Sequence, residues 1–288
     1  MALAAIVGAG FGIAAMYVYP SFRPTSAEAA RQAMDIMFRF RIPHHTMVTR
    51  WFPLPTAVKF VVILAGLAVT WRRPRVCAIL AIPLAIGLGL TIVQIVTGSE
   101  FLGLVYPWRV GVVLVPLSAT LLIAWSLDRL WPSLSRGAAR LVVWSSGLLA
   151  IVAVVTGGLL TAAHFAAAAG NPALPMMKFV ERTKSPGDVY LIPPNLEEFR
   201  FSAGAPTVVD FKAVAIKDTE VLEWYSRIRA VEPVYRTGVL DCPTLGGFKA
   251  RYGVTHVVWP GSDPSGLCPE LRPVYRDAGF AVYRVAER

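Results

Sequence analysis

The sequence predicts a membrane α-helical bundle of about five spans followed by a small α/β soluble domain. Three observations lead there. Of 288 residues, 55% are hydrophobic and only 16% are charged, too apolar a balance for an ordinary soluble domain. Within residues 1–168 the apolar residues come in long blocks, whereas after Ala169 they come in short runs between polar, amphipathic stretches. The formal net charge of +10 is also uneven: residues 1–168 hold 13 Lys/Arg against 4 Asp/Glu, while residues 169–288 hold 15 against 14. A nucleic-acid binder would carry its basic face on the soluble domain, so nucleic acid is excluded as a partner. Arginines between apolar blocks read instead as topology signals and lipid head-group contacts.

The candidate spans are residues 2–19, 56–71, 76–97, 110–127 and 141–167. A spanning helix needs about 20 mainly apolar residues, which the third and fifth exceed. The second is short, with Lys59 placed to snorkel, and Pro116 predicts a kink in the fourth. The first lacks a basic leader and runs into Tyr17, Tyr19 and Pro20, so it reads as a retained helix with an aromatic end rather than a signal peptide. The alternative is that Met1 is a late start within a longer protein.

Arg72, Arg73 and Arg75 join the second and third spans, and Arg129, Arg136 and Arg140 join the fourth and fifth. Both loops are expected on the cytoplasmic side. That puts Glu100, Arg109, residues 21–55 and the domain 169–288 outside, against the preference of the arginines in 21–55. Cys242 and Cys268 would then lie in an oxidising compartment, either paired across a loop of about 25 residues or as two thiols that never meet. No CxxC pair or zinc spacing occurs.

In the domain 169–288, Gly170, Pro172 and Pro175 break the preceding helix. Helices are expected at 176–183, 218–229 and 244–252, and strands at 188–192, 207–210, 254–259 and 280–285. This alternation argues for an α/β layer domain, and about 120 residues suffice to bury a core. No glycine-rich phosphate loop follows a strand, and no cofactor is implied.

Residues 27–40 read as an amphipathic helix on the membrane surface, with Glu28, Arg31, Asp35 and Arg39 along one face. A solvated face laced with ion pairs explains this pattern. The functional alternative makes Asp35 or Glu28 a general base on a hydroxyl acceptor. Pro43 ends any preceding helix, which leaves His44 and His45 on a turn. Adjacent histidines rarely share a metal ion without a third ligand, so no metal is expected. Arginine and histidine suit a phosphate. Arg39, Arg41, His44, His45 and Arg109 are therefore candidates for a lipid phosphate, the alternative being that the histidines only anchor the chain where it turns into the second span. Tyr106, Pro107 and Trp108 with Arg109 fit an aromatic belt or the same head-group site. In the outer domain Arg200, Asp210 and Lys212 follow strands, where α/β domains place ligands, and Glu223, Trp224 and Arg227 lie on the next helix. Ion pairing of Glu223 with Arg227 is the plainer reading. His164 and His256 read as structural.

The Arg41-x-Pro43-His44-His45 loop, the polytopic helices and the later residues Pro193-Pro194, Phe199-Arg200, Asp210-Phe211-Lys212 and Glu223-Trp224-Tyr225-x-Arg227 resemble a group of uncharacterised bacterial multi-pass membrane proteins. That group looks like the C-terminal portion of GT-C type membrane glycosyltransferases. The resemblance implies transfer of a sugar from a polyprenyl-phosphate donor at the outer face of the bacterial inner membrane. Such enzymes usually carry an acidic pair in the first outer loop and more than five spans. Here Glu28 and Asp35 are not adjacent, as expected of a C-terminal portion or a non-catalytic relative. Two functions follow as expectations: an enzyme, or part of one, handling a polyprenyl-linked sugar with Asp35 as base, or a non-catalytic scaffold whose outer domain docks a membrane-protein partner. A transporter ranks behind both, because the spans contain few ionisable residues.

Overall fold

The structure, a computed structural model, describes residues 8–10, 12, 13, 16, 23–51, 54–261 and 266–286. Most of the first expected span lies outside them, as do Phe52 and Pro53. The chain divides into two compact units: Arg31–Gly158, and Met1–Ala30 together with Leu159–Arg288. Three stretches are long and apolar enough to cross a membrane, Pro74–Thr97, Glu100–Ser133 and Arg136–Ala169, while the apolar helix Leu54–Thr70 is shorter.

The first unit is helical. Helix α1 (Ala27–Asp35) enters it and passes into a π-helical turn, Ile36–Arg41. Two single turns follow, α2 (Pro43–Thr46) and α3 (Val48–Trp51). The long elements are α4 (Leu54–Thr70), α5 (Pro74–Thr97) and α7 (Gly111–Leu130), with the short α6 (Glu100–Leu104) and a 3-10 turn (Pro107–Val110) between the last two. Pro83 and Pro116 are both carried inside their helices.

The core of this unit joins Ile63 of α4, Leu80 and Leu84 of α5 and Leu114 of α7, with the Phe60 ring stacked on Trp108 at 4.4 Å. A side chain at Gly66 would fall 2.6 Å from the Ser118 Cβ. Small residues thus let α4 and α7 approach closely, as interfaces between apolar helices require. Helix α8 (Arg136–Ala169) runs 34 residues with none buried.

The second unit contains α9 (Leu174–Thr183), β1 (Tyr190–Leu191), α10 (Phe199–Ala203), α11 (Asp218–Thr237), α12 (Cys242–Tyr252), β2 (His256–Pro260), β3 (Leu271–Arg276) and β4 (Phe280–Val285). The sheet order is β1-β2-β4-β3. β1 and β2 are parallel and the other pairs antiparallel. The parallel pair is joined through α10, α11 and α12, the kind of helical crossover that parallel strands need. On one face Met176, Met177 and Val180 of α9 and Phe199 of α10 pack against Tyr190, Val258 and Val282. The alternate residue Trp259 meets Tyr235 of α11 at 5.4 Å, as the period of 2 along a strand dictates. The Tyr235 hydroxyl, 3.0 Å from the Leu191 carbonyl and 2.9 Å from that of Val258, ties α11 to β1 and β2.

Three sequence expectations change. Segment 207–210 is not a full strand: Thr207 makes an isolated parallel bridge to Tyr190. β3 is an additional strand at the sheet edge, with a register shift between Pro273 and Tyr275. Helix α11 extends to Thr237, through Pro233. Cys242 and Cys268 are bonded, across a sequence separation of 26. Residues before Ala30 belong to this unit through Asp218, whose carboxylate accepts the Thr25 N–H at 2.7 Å, its hydroxyl at 2.9 Å and the Thr219 N–H at 2.8 Å. Burial pushes the Asp218 carboxyl up, but donors from Thr25, Thr219 and Ser26 outweigh it and hold it below the usual range.

Candidate functional site

In the helical unit, the polar island is built on a π turn. The Ile42 N–H reaches back to the Met37 carbonyl at 3.1 Å, one residue further than an α-helix allows. Pro43 then opens α2 at a position where no N–H is required. His44 and His45 therefore lie on a turn, as expected, and that turn is helical. Thr46, 1% exposed, fixes this turn: its hydroxyl lies 2.6 Å from the Phe38 carbonyl and 3.1 Å from that of Ile42. The Gln94 amide of α5 donates to the Thr46 carbonyl at 2.9 Å.

Tyr106 closes the other side. Its φ of +52° is the only positive value of a non-glycine residue among the described residues. A side chain in the left-handed region costs energy and persists only where its surroundings hold it. Here the following Pro107 is buried, and Val110 and the Pro107 carbonyl crowd Gly87. The Arg109 guanidinium lies over the Tyr106 ring at 4.4 Å. His45 meets the same ring edge-on at 5.8 Å, and His44 lies 4.1 Å from His45. Desolvation, then the charges of His44 and Arg109, hold His45 below the usual imidazole range. His45 and Arg109 are thus brought together on Tyr106, with His44 beside His45.

The other candidates of this unit are placed differently. The Arg39 Nε is 2.5 Å from Asp35 and its Nη2 is 3.1 Å from Glu100. This guanidinium is occupied by two carboxylates, Asp35 and Glu100. Arg41 is half-buried at the last position of the π turn. Among the described residues no three His, Cys, Asp or Glu side chains gather as metal ligands. Sequence reasoning placed Tyr106 beside Arg109 but missed the supports Thr46 and Gln94. Gln94 alone carried a signal, as a polar residue late in an apolar span.

In the C-terminal unit, Arg200, Asp210, Glu223, Trp224 and Arg227 all line one cleft of about 440 Å³. Trp224 is a wall rather than a contact: it is 5% exposed, and its Nε1 donates to the Asp210 carbonyl at 3.0 Å. Arg227 donates to Glu223 at 2.9 Å and to the Val208 carbonyl at 3.1 Å. Lys212 instead meets Glu197 at 3.2 Å. His256 is half-buried and stacked on Tyr190 at 4.8 Å, a packing role.

Residues 172–231 match the family model of a domain of unknown function (DUF6798). No curated protein and no solved structure matches the chain. The matched segment contains every candidate residue of the C-terminal unit and every residue lining the cleft.

Proposed function

We propose that the protein is a multi-pass protein of the bacterial inner membrane that binds a lipid phosphate through His44, His45 and Arg109, as a polyprenyl-phosphate-sugar-dependent glycosyltransferase or the C-terminal part of one. One observation carries the reading: the His45 imidazole and the Arg109 guanidinium both contact the Tyr106 ring, and His44 lies against His45. Guanidinium and imidazole N–H groups are suited donors for a phosphate. Arg39 takes a positioning role, since it bridges Asp35 and Glu100. Arg41 stays a candidate donor beside the histidines. Asp35 is the weakest part of a catalytic reading, because its oxygen is already engaged.

The Cys242–Cys268 bond supports placing residues 169–288 outside the cytoplasm, since disulfides persist in oxidising compartments. A non-catalytic scaffold is the second reading. It is favoured by α8, whose 34 residues bury nothing against the chain.

The test is binding of polyprenyl phosphate to the purified full chain, with uncharged polyprenol as control. Saturable binding of the phosphate alone, lost in His44→Ala/Arg109→Ala, is the expected result. Equal binding of both lipids, or no change in the variant, would overturn the reading. Stoichiometric co-purification of another membrane protein, without phosphate-dependent binding, would favour the scaffold.

A further inference from the structure

We propose that the C-terminal unit binds a neutral saccharide in the cleft between α10 and α11, with Asp210 Oδ2 accepting a sugar hydroxyl and Arg200 donating to one. The inference starts from an incomplete carboxylate. Asp210 is 3% exposed. Its Oδ1 accepts the N–H groups of Lys212 at 3.0 Å and Ala213 at 2.6 Å, while its Oδ2 is buried with no hydrogen-bond partner. The nearest cation is the Arg200 Nη1 at 3.8 Å, beyond hydrogen-bond length. A buried carboxylate oxygen without a donor is costly. Asp210 forms part of the cleft wall, where a bound ligand can supply that donor.

The chemistry of the other walls selects the ligand. Arg227 is committed to Glu223 and the Val208 carbonyl, and Glu223 also faces Arg251 at 3.6 Å. These pairs neutralise one another, and Glu220 adds one further carboxylate to the lining. A ligand of net charge would set one member of these pairs against it. A neutral hydroxyl suits a carboxylate beside a guanidinium, because it donates to the first and accepts from the second. Thr207 and Thr219 add hydroxyls to the same lining. Arg200 is 54% exposed at its side chain, so it can swing to a ligand and open the way to Oδ2. A volume of about 440 Å³ lies within the range of small-molecule sites. The site lies after β1, where α/β domains gather ligand contacts.

This inference is independent of the lipid-phosphate reading, which concerns the other unit. The experiment uses the full chain in a detergent without a sugar head group. Glucose, galactose, mannose, N-acetylglucosamine and sucrose are titrated by saturation-transfer NMR, with lysine and glutamate as controls of opposite net charge. Saturable binding of at least one saccharide is expected, weakened at least tenfold in Asp210→Asn and in Arg200→Ala. It should persist in His44→Ala/Arg109→Ala, so that failure of either proposal is seen separately. Asp210→Asn keeps the Oδ1 acceptor, and Arg200→Ala changes an exposed residue, which guards against a result caused by unfolding. Three results would overturn the proposal: no saccharide binds, lysine or glutamate binds in its place, or both cleft variants bind within twofold of the parent.

Discussion

The side-chain amide of Gln94 donates to the backbone carbonyl of Thr46 at 2.9 Å, linking positions 48 apart in the chain. Both residues are buried. One end of this bond is deep in α5 and the other is the residue after His45, so the helix core sets where the imidazoles stand. Gln94→Leu leaves the Thr46 carbonyl without its donor. A loss of about 1–2 kcal/mol is expected in a thermal or denaturant melt of the full chain. Polyprenyl-phosphate affinity should fall with it, although Gln94 touches no ligand. Unchanged affinity would dissociate the bond from the site.

Gly103 marks a second tight point. A Cβ there would fall 2.9 Å from the Gln94 amide nitrogen and overlap the Phe38 ring. Gly103→Ala is expected to destabilise the helical unit by about 1–3 kcal/mol through overpacking. Gly89, in the middle of α5, has nothing within 4 Å of the same atom. Gly89→Ala should be neutral or stabilising by up to about 1 kcal/mol. Comparing the two melting temperatures separates packing from helix propensity.

Proton linkage offers a third measurement. Desolvation, His44 and Arg109 favour the neutral form of His45. A bound phosphate opposes all three and favours the charged form, so binding takes up a proton. Affinity should therefore rise as pH falls from about 8 toward the ordinary imidazole range near 6.5 and below. The slope should flatten in His45→Gln. A pH-independent affinity in the parent would show that His45 does not meet the ligand.

The bond between Cys242 and Cys268 supplies a fourth. Closing a loop of this length is worth about 3 kcal/mol. Cys242→Ser/Cys268→Ser should lower the stability of the C-terminal unit by roughly that amount. In intact cells, a membrane-impermeant maleimide should label neither cysteine until a reductant is added. No labelling even after reduction would contradict an outer location for this unit, and labelling without reductant would contradict the bond.

How far the sequence reached depends on which physical signal each element carries. Strand β4 was legible to its ends, because Phe280–Val285 is a short β-branched and aromatic run. β3 was hidden by Pro273, which argues against a strand. The structure resolves that conflict by putting β3 at the sheet edge and shifting its register beside the proline. The helix predicted over 27–40 begins at Ala27 as expected, but its last turn is wider, and periodicity does not distinguish α from π over six residues. Pro43 was read as a helix stop, although proline is equally suited to a helix start. The cleft residues were legible as polar groups after strands. The incomplete hydrogen bonding of Asp210 was not, because it depends on a 3.8 Å separation that no spacing encodes.

The Thr25–Asp218 contact spans 193 positions, and it has a consequence for biosynthesis. Residues on either side of Arg31–Gly158 belong to one unit, so that unit is discontinuous in the chain. On the ribosome, Thr25 emerges long before its acceptor. It must wait, without this partner, while every intervening helix is made and inserted. Contacts of such separation are slow to form because the loop between them must first be closed. Completion of the C-terminal unit is thereby a late event, and a chain stalled before Asp218 would present an unlatched leading segment to the quality-control proteases.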